Sequence, residues 1–307
     1  MQTLDFQKME NIERSASRKR TFYRWLLFIT LGIFALFYLA PLYVMIITSL
    51  KSMEEIRQGN LMTLPGEIIF DSWKTAWSGR EGIDAGNVFL RPFFWNSIKM
   101  VVPAVAISTF FGALNGYALT RWRFRGDNLV FLLFLFGCFI PYQAILLPMA
   151  RTLGILGISN SISGLILVHT VYGLSFTTLF FRNYYISIPD EMIKAARIDG
   201  AGFLKIFFKV LLPISAPIIV VTVIWQFTNI WNDFLFGSSF SFGEAAPIQV
   251  ALNNMVLTST SVKEYNVDMA AAFIAGIPTL LVYVLAGKYF IRGLTAGSVK
   301  GLSLIHI

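Results

Sequence analysis

Twenty-six consecutive residues, Trp25 to Leu50, carry no charged side chain. A helix needs roughly 20 apolar residues to cross a hydrocarbon core of about 30 Å. The stretch is longer than the apolar core of a secretory signal, and no small-residue cleavage site stands before Lys51. It is therefore read as an uncleaved first span, with Pro41 expected to kink it. Blocks of similar length recur at Phe93–Thr120, Leu129–Met149, Ile162–Phe181, Leu211–Phe236 and Met269–Phe290. The sequence thus predicts an all-α membrane protein with six transmembrane helices.

Composition agrees with this reading and excludes others. Apolar residues make up 56% of the chain, charged residues 14%, and the mean hydropathy is +0.65. A soluble domain carries about a quarter charged residues. The single cysteine, Cys138, rules out an intrachain disulfide and a cysteine-based metal site. His169 and His306 are too few and too far apart for a metal cluster. His169 is expected to be a hydrogen-bonded residue of the bundle rather than a ligand.

Six spans put both termini on one side. With the amino end inside, residues 1–24, 121–128, 182–210 and 288–307 are cytoplasmic and hold 17 basic against 7 acidic residues. The opposite side has 8 basic and 10 acidic. This is the positive-inside pattern, so the net charge of +8 follows from topology and needs no nucleic-acid partner. The expected organisation is a cytoplasmic segment 1–24, a permease domain 25–301 with an external loop 237–268, and an atypical tail 302–307 set aside from the fold. Gly112 and Gly116 form a G-x-x-x-G pair, which permits close helix packing.

The internal cytoplasmic segment 182–210 is the most informative. Pro189 followed by Asp190 and Glu191 starts a helix, because proline suits the first turn and acids favour the positive dipole end. Gly200 and Gly202 end it, and a second amphipathic stretch leads to Pro213. Such a helix suits transmission of force from a cytoplasmic partner; it would equally suit a connector resting on the lipid surface.

The residues Ala195, Ala196, Asp199, Gly200, Leu212 and Pro213 match the pattern of the "EAA" coupling loop, and the chain resembles the permeases of ABC importers. Ser49-Leu50-Lys51, Asn96-Ser97, Gly116 to Arg121, Trp231-Asn232-Asp233-Phe234 and Arg292 to Gly297 resemble the carbohydrate branch, and within it glucose/mannose-type permeases. The resemblance implies a type I importer permease fold with a cytoplasmic coupling helix in a bacterial cytoplasmic membrane. It also implies a second homologous permease, an ATPase dimer and an external sugar-binding protein as partners. Lys194 stands where the motif has its glutamate. Either the partner presents an acid there, or Glu191, one turn earlier, takes that role. By the same resemblance Asn253 and Asn254 would face the binding protein, and a tail with Arg292, Thr295 and Gly297 would touch the ATPases.

The chain has no G-x-x-x-x-G-K-[ST] loop, since Gly287-Lys288 precedes Tyr289. ATP and Mg are accordingly expected on the partner ATPases, with no cofactor in this chain and no catalytic residue. A sugar path needs amides or hydroxyls beside aromatic faces. Gln226, Asn229 and Asp233, at i, i+3 and i+7, would share one helical face, with Tyr142 and Gln143 as further candidates. Asn232 and Asp233 would equally serve as helix caps. The substrate is expected to be a glucose- or mannose-like monosaccharide, the alternative being an oligosaccharide or polyol. An ion-coupled carrier would place carboxylates at mid-membrane, and no span has one at its centre. A membrane-embedded enzyme would need a paired carboxylate, metal or nucleophile cluster, and none is visible.

Overall fold

The computed structural model describes residues 2–80, 89–122, 124–257 and 263–298, with side chains from Lys19 to Gly287. All regular structure among the described residues is helical. Two compact units are formed, one by Met1–Trp73 with Glu264–Ala270, the other by Lys74–Lys263 with Ala271–Ile307. Residues 302–307 lie outside the described residues.

In chain order the helices are α1 (Gln2–Ser49), α2 (Met53–Gln58), α3 (Asp71–Ser78), α4 (Arg91–Arg121), α5 (Asp127–Phe139), α6 (Tyr142–Ile155) and α7 (Ile162–Ile186). There follow α8 (Asp190–Ile198), α9 (Phe203–Ile206), a π turn (Phe207–Leu211), α10 (Leu212–Ile214) and α11 (Ala216–Trp231). The last elements are α12 (Leu235–Phe240), a 3-10 turn (Gly243–Ala245), α13 (Ile248–Leu257) and α14 (Tyr265–Ser298). Four stretches are long and apolar enough to cross a membrane: Lys19–Ser49, Arg91–Arg121, Ile162–Ile186 and Tyr265–Gly287. Two bent pairs raise the number to as many as six.

In the first unit α1 runs unbroken through Pro41. Its large apolar side chains from Phe22 to Leu39 are exposed, a surface that suits lipid and not water. Beyond it Ser52 caps α2 by accepting from Glu55 N at 3.2 Å, and the Glu55 carboxylate accepts from Gly66 N at 2.8 Å. Lys51 Nζ donates to Thr63 Oγ1 at 3.1 Å, and Asn266 Nδ2 donates to the Lys51 carbonyl at 3.1 Å.

The second unit is built on the pairing of α4 with α7. A Cβ on Gly112 would lie 2.5 Å from Thr177 Cβ, and one on Gly116 would lie 2.8 Å from Phe181 Cβ. The G-x-x-x-G pair is therefore what lets the two backbones approach, as its spacing suggests. Thr177 Oγ1 donates to the Ser108 carbonyl at 2.9 Å across that seam.

Two expected spans are not straight. The third, Leu129–Met149, is two helices, α5 and α6, meeting at 106°. Pro141 causes the break: it biases the preceding residue away from helical angles, and Ile140 sits at φ −68°, ψ 120°. The fifth, Leu211–Phe236, consists of Phe203–Ile214 and Ala216–Trp231 at 79°. Pro213 and Pro217 remove backbone donors on both sides of Ser215, and α11 stops at Trp231, short of Phe236.

Residues 237–257, in the segment expected to be an external loop, are more ordered than a simple loop. Asn96 Nδ2 donates to the carbonyls of Glu244 (2.7 Å) and Ala246 (3.0 Å), and Ser97 Oγ accepts from Ile248 N at 2.9 Å. Ile248, Val250 and Ala251 of α13 are buried. The Asn96-Ser97 pair at the start of α4 is thus the fastening of this segment.

Candidate functional site

Two places in the second unit gather the residues singled out above. The first surrounds α8. Its N-terminus begins after Pro189, and Gly200, at φ +75°, ends it in the left-handed conformation that glycine adopts without strain. Ile193 is buried and Ala196 half-buried against a core of Tyr117, Phe181, Tyr185, Ile206, Phe207 and Leu211. Glu191, Lys194, Ala195, Asp199 and Gly200 are exposed, and Ile198 displays an apolar side chain that is 85% exposed. Pro213 is exposed in α10, where it follows the π turn.

Arg121, the last residue of α4, joins three elements. Its guanidinium donates to the Tyr185 carbonyl at 2.5 Å and to the Ile188 carbonyl, and pairs with Asp190 of α8. Arg197 of α8 donates to the Arg121 carbonyl at 2.9 Å and lies 5.1 Å from the centre of the Trp122 ring. A groove of about 680 Å³ is left beside this clasp, lined by Arg121, Arg182, Glu191, Lys194 and Arg197 among others. Glu191 and Lys194 face the same groove, as their three-residue spacing requires.

The second place is a cavity of about 460 Å³ where α6, α7, α11 and α12 meet. Tyr142, Gln226, Asn229 and Asp233 all line it, with Trp225 and Tyr172 as further aromatic walls. Gln143 is exposed and does not line it. The shared-face argument fails for Asp233, because α11 ends at Trp231. Asp233 reaches the cavity from the following turn, where its carboxylate accepts from Phe236 N (3.3 Å) and Gly237 N (3.0 Å) and so caps α12. Asp233 thus both caps α12 and lines the cavity.

Gln226 has a double part. It is 2% exposed, and its Nε2 donates to Ser108 Oγ of α4 at 2.8 Å. A Cβ on Gly173 would collide with the Gln226 amide, so glycine there makes room for it between α7 and α11. Asn229 Nδ2 donates to the Trp225 carbonyl at 2.7 Å. Asn232 Oδ1 accepts from Gln249 Nε2 at 3.4 Å.

His169 corrects the sequence reading. It is buried on α7 and lines the cavity, yet its Nε2 has no hydrogen-bond partner and stands 3.7 Å from Asp233 Oδ2. A lone histidine in an apolar block carries no sequence signal that would distinguish this from a satisfied core position.

Asn253 is half-buried and Asn254 exposed on α13. The backbone at Arg292, Thr295 and Gly297 continues α14, and their side chains lie outside the described residues.

Helices of spanning length, two bent pairs and an amphipathic helix clasped to the ends of two of them define a multi-pass membrane protein. The family described as binding-protein-dependent transport system inner membrane component matches residues 104–289, and the chain belongs to it. A probable ABC transporter permease of Pyrococcus horikoshii is 43% identical over 91% of this chain and 98% of its own length. The xylose/arabinose import permease XacI of Haloferax volcanii is 33% identical over 84% of this chain and 87% of its own. The fold is shared with a chain in the crystal structure of a bacterial ABC transporter involved in import of the acidic polysaccharide alginate. That match has a TM-score of 0.77 at 24% identity, covering 89% of this chain and 98% of the other.

Proposed function

We propose that this chain is the translocation subunit of an ATP-driven, binding-protein-dependent sugar importer. It pairs with a second permease, and ATP and Mg are held by the partner ATPases. The observation that carries the reading is that α7 connects the polar cavity to the coupling helix. His169 and Gly173 lie at the cavity; Tyr185, at the other end of α7, is held by the clasp to α8. Sixteen residues of helix span about 24 Å, so movement of α8 reaches the cavity through one rigid element.

In this reading the amino terminus, residues 182–210 and the carboxyl end face the cytoplasm. Glu191, Lys194, Ala195, Ala196, Asp199 and Gly200 form the helix that the ATPases move, with Pro213 at the turn behind it. Glu191 supplies the acid that Lys194 displaces from the motif. Segment 237–268, with Asn253 and Asn254, meets the binding protein outside, and Arg292, Thr295 and Gly297 meet the ATPases inside.

The cavity sets amides and aromatic faces side by side, which suits the hydroxyls and apolar ring faces of a sugar. A glucose- or mannose-like monosaccharide fits best; the pentose named for the Haloferax relative belongs to the same monosaccharide class. ATPase stimulation of the reconstituted complex by a sugar panel, with and without binding protein, tests this. Stimulation by glucose or mannose supports the full reading. Stimulation only by a pentose, oligosaccharide or polyol keeps the importer and replaces its substrate. An assembled complex that no sugar stimulates overturns the reading.

A further inference from the structure

The cavity contains a donor and an acceptor placed to hold something between them. His169 Nε2 is enclosed, has no hydrogen-bond partner and lies 3.7 Å from Asp233 Oδ2. That separation is too long for a hydrogen bond, and it leaves no room for an atom on the line joining the two. A group seated to one side of that line would reach both once a side-chain shift uncovers the enclosed Nε2. Thr228 Oγ1, of a second residue lining the cavity, is also a buried polar atom without a partner. Burying polar atoms unpaired is costly, and two such atoms line one cavity, beside the rings of Trp225, Tyr142 and Tyr172 and the amides of Gln226 and Asn229.

We propose that His169 and Asp233 form a hydroxyl clamp for the transported sugar, so that this permease carries a selective substrate contact of its own. The inference rests on the sugar-importer reading above. With the imidazole neutral and its proton on Nε2, His169 donates to the sugar oxygen, and the same hydroxyl donates its proton to the Asp233 carboxylate. The bridging group must therefore accept and donate at once. A hydroxyl does both; a carbonyl cannot donate, and a carboxylate is repelled by Asp233. Asp233 is held for this task by the backbone N–H groups of Phe236 and Gly237, and His169 by the wall of α7. Trp225 and the tyrosines offer the ring its apolar contact. The clamp thus selects neutral polyhydroxylated substrates and rejects a uronate at that position.

The test uses the complete importer in proteoliposomes, with D-glucose and its 2-, 3-, 4- and 6-deoxy analogues each saturating the binding protein. Wild type, His169→Phe and His169→Gln are compared, with assembly of each complex checked by size-exclusion chromatography. Wild type is expected to import one of the four analogues about ten-fold more slowly than D-glucose, which corresponds to about 1.4 kcal/mol. His169→Phe imports D-glucose about ten-fold more slowly and is indifferent to deletion of that same hydroxyl; His169→Gln, which restores a donor, recovers part of the loss. Such non-additivity belongs to groups in contact, and a packing defect would slow all five sugars alike. Equal import of all five by wild type, or a uniform loss in His169→Phe, overturns the clamp and leaves the importer standing. Failure of the assembled wild-type complex to import any of the five overturns the clamp for a glucose-like sugar, and only failure with every sugar of the wider panel overturns the importer reading as well.

Discussion

Gly112 and Gly276 are both helical glycines, but their surroundings differ. A Cβ on Gly112 meets Thr177, while one on Gly276 meets nothing within 4 Å. Alanine at Gly112 forces α4 away from α7 or displaces the Thr177 hydroxyl from the Ser108 carbonyl. The expected cost is about 1–3 kcal/mol, the usual range for overpacking. Alanine at Gly276 gains helix propensity and costs nothing in packing. Thermal unfolding of the purified chain in detergent should show Gly112→Ala melting earlier than wild type and Gly276→Ala at or slightly above it. Equal midpoints would mean that the α4–α7 seam is looser than the structure shows. At this scale the sequence is uneven: the glycine spacing is legible, because a small-residue pattern maps onto one helix face. His169 is not legible, because its meaning depends on Asp233, 64 positions later and on another element.

If α8 couples as proposed, its contacts in the clasp differ in what they could transmit. Arg121 is largely buried and holds two backbone carbonyls of the α7 end, whereas Asp190 is 62% exposed. An ion pair with one partner in solvent contributes little by itself. Loss of Arg121 leaves the part-buried Ile188 carbonyl without its side-chain donor and the Tyr185 carbonyl with Ile188 N alone, which is more costly. In sugar-stimulated ATPase assays Asp190→Asn should therefore stay near wild type, and Arg121→Met should lose most of the stimulation while keeping basal hydrolysis by the partners. Comparable losses in the two would place the coupling in the ion pair. The end of the same helix makes a second prediction. Gly200 has φ +75° and open space around its Cβ, so alanine there suffers only the left-handed penalty of about 1–2 kcal/mol. Proline cannot adopt that φ and also loses the Gly200 N–H bond to the Arg197 carbonyl. Uptake should fall moderately in Gly200→Ala and be abolished in Gly200→Pro; equal uptake in Gly200→Pro and wild type would refute the coupling role. The helix itself is legible in the sequence because its punctuation is local, a proline, two acids and a glycine. The bends at Pro141 and Ser215 are not, since hydropathy adds up apolar residues without regard to the direction of the chain. Nor is the order of residues 237–257, whose fastening comes from Asn96 and Ser97 some 150 residues earlier.

The proposed orientation of the chain in the membrane rests on its charge. The segments assigned to the cytoplasm hold 17 basic and 7 acidic residues, the others 8 and 10. In the membrane this asymmetry fixes which side the loops occupy. The coupling reading requires the same side, because ATP is supplied only in the cytoplasm. These two arguments are independent, one resting on the count of lysines and arginines, the other on the clasp at α8. A single experiment can set them against each other, because Cys138 is the chain's one cysteine. In a Cys138→Ser background, Ser187→Cys places a thiol at the exposed C-terminal end of α7, beside the coupling helix. Ser239→Cys places one at an exposed position of α12, in the segment read as external. A membrane-impermeant maleimide added to intact right-side-out vesicles should label the Ser239→Cys variant and leave the Ser187→Cys variant unlabelled until the vesicles are opened. The reverse pattern would invert the topology and place the clasp outside, where no ATPase could move it. Labelling of both in intact vesicles would mean that the chain between α7 and α12 does not return across the membrane, which would contradict the bent pair Phe203–Trp231 as a single span.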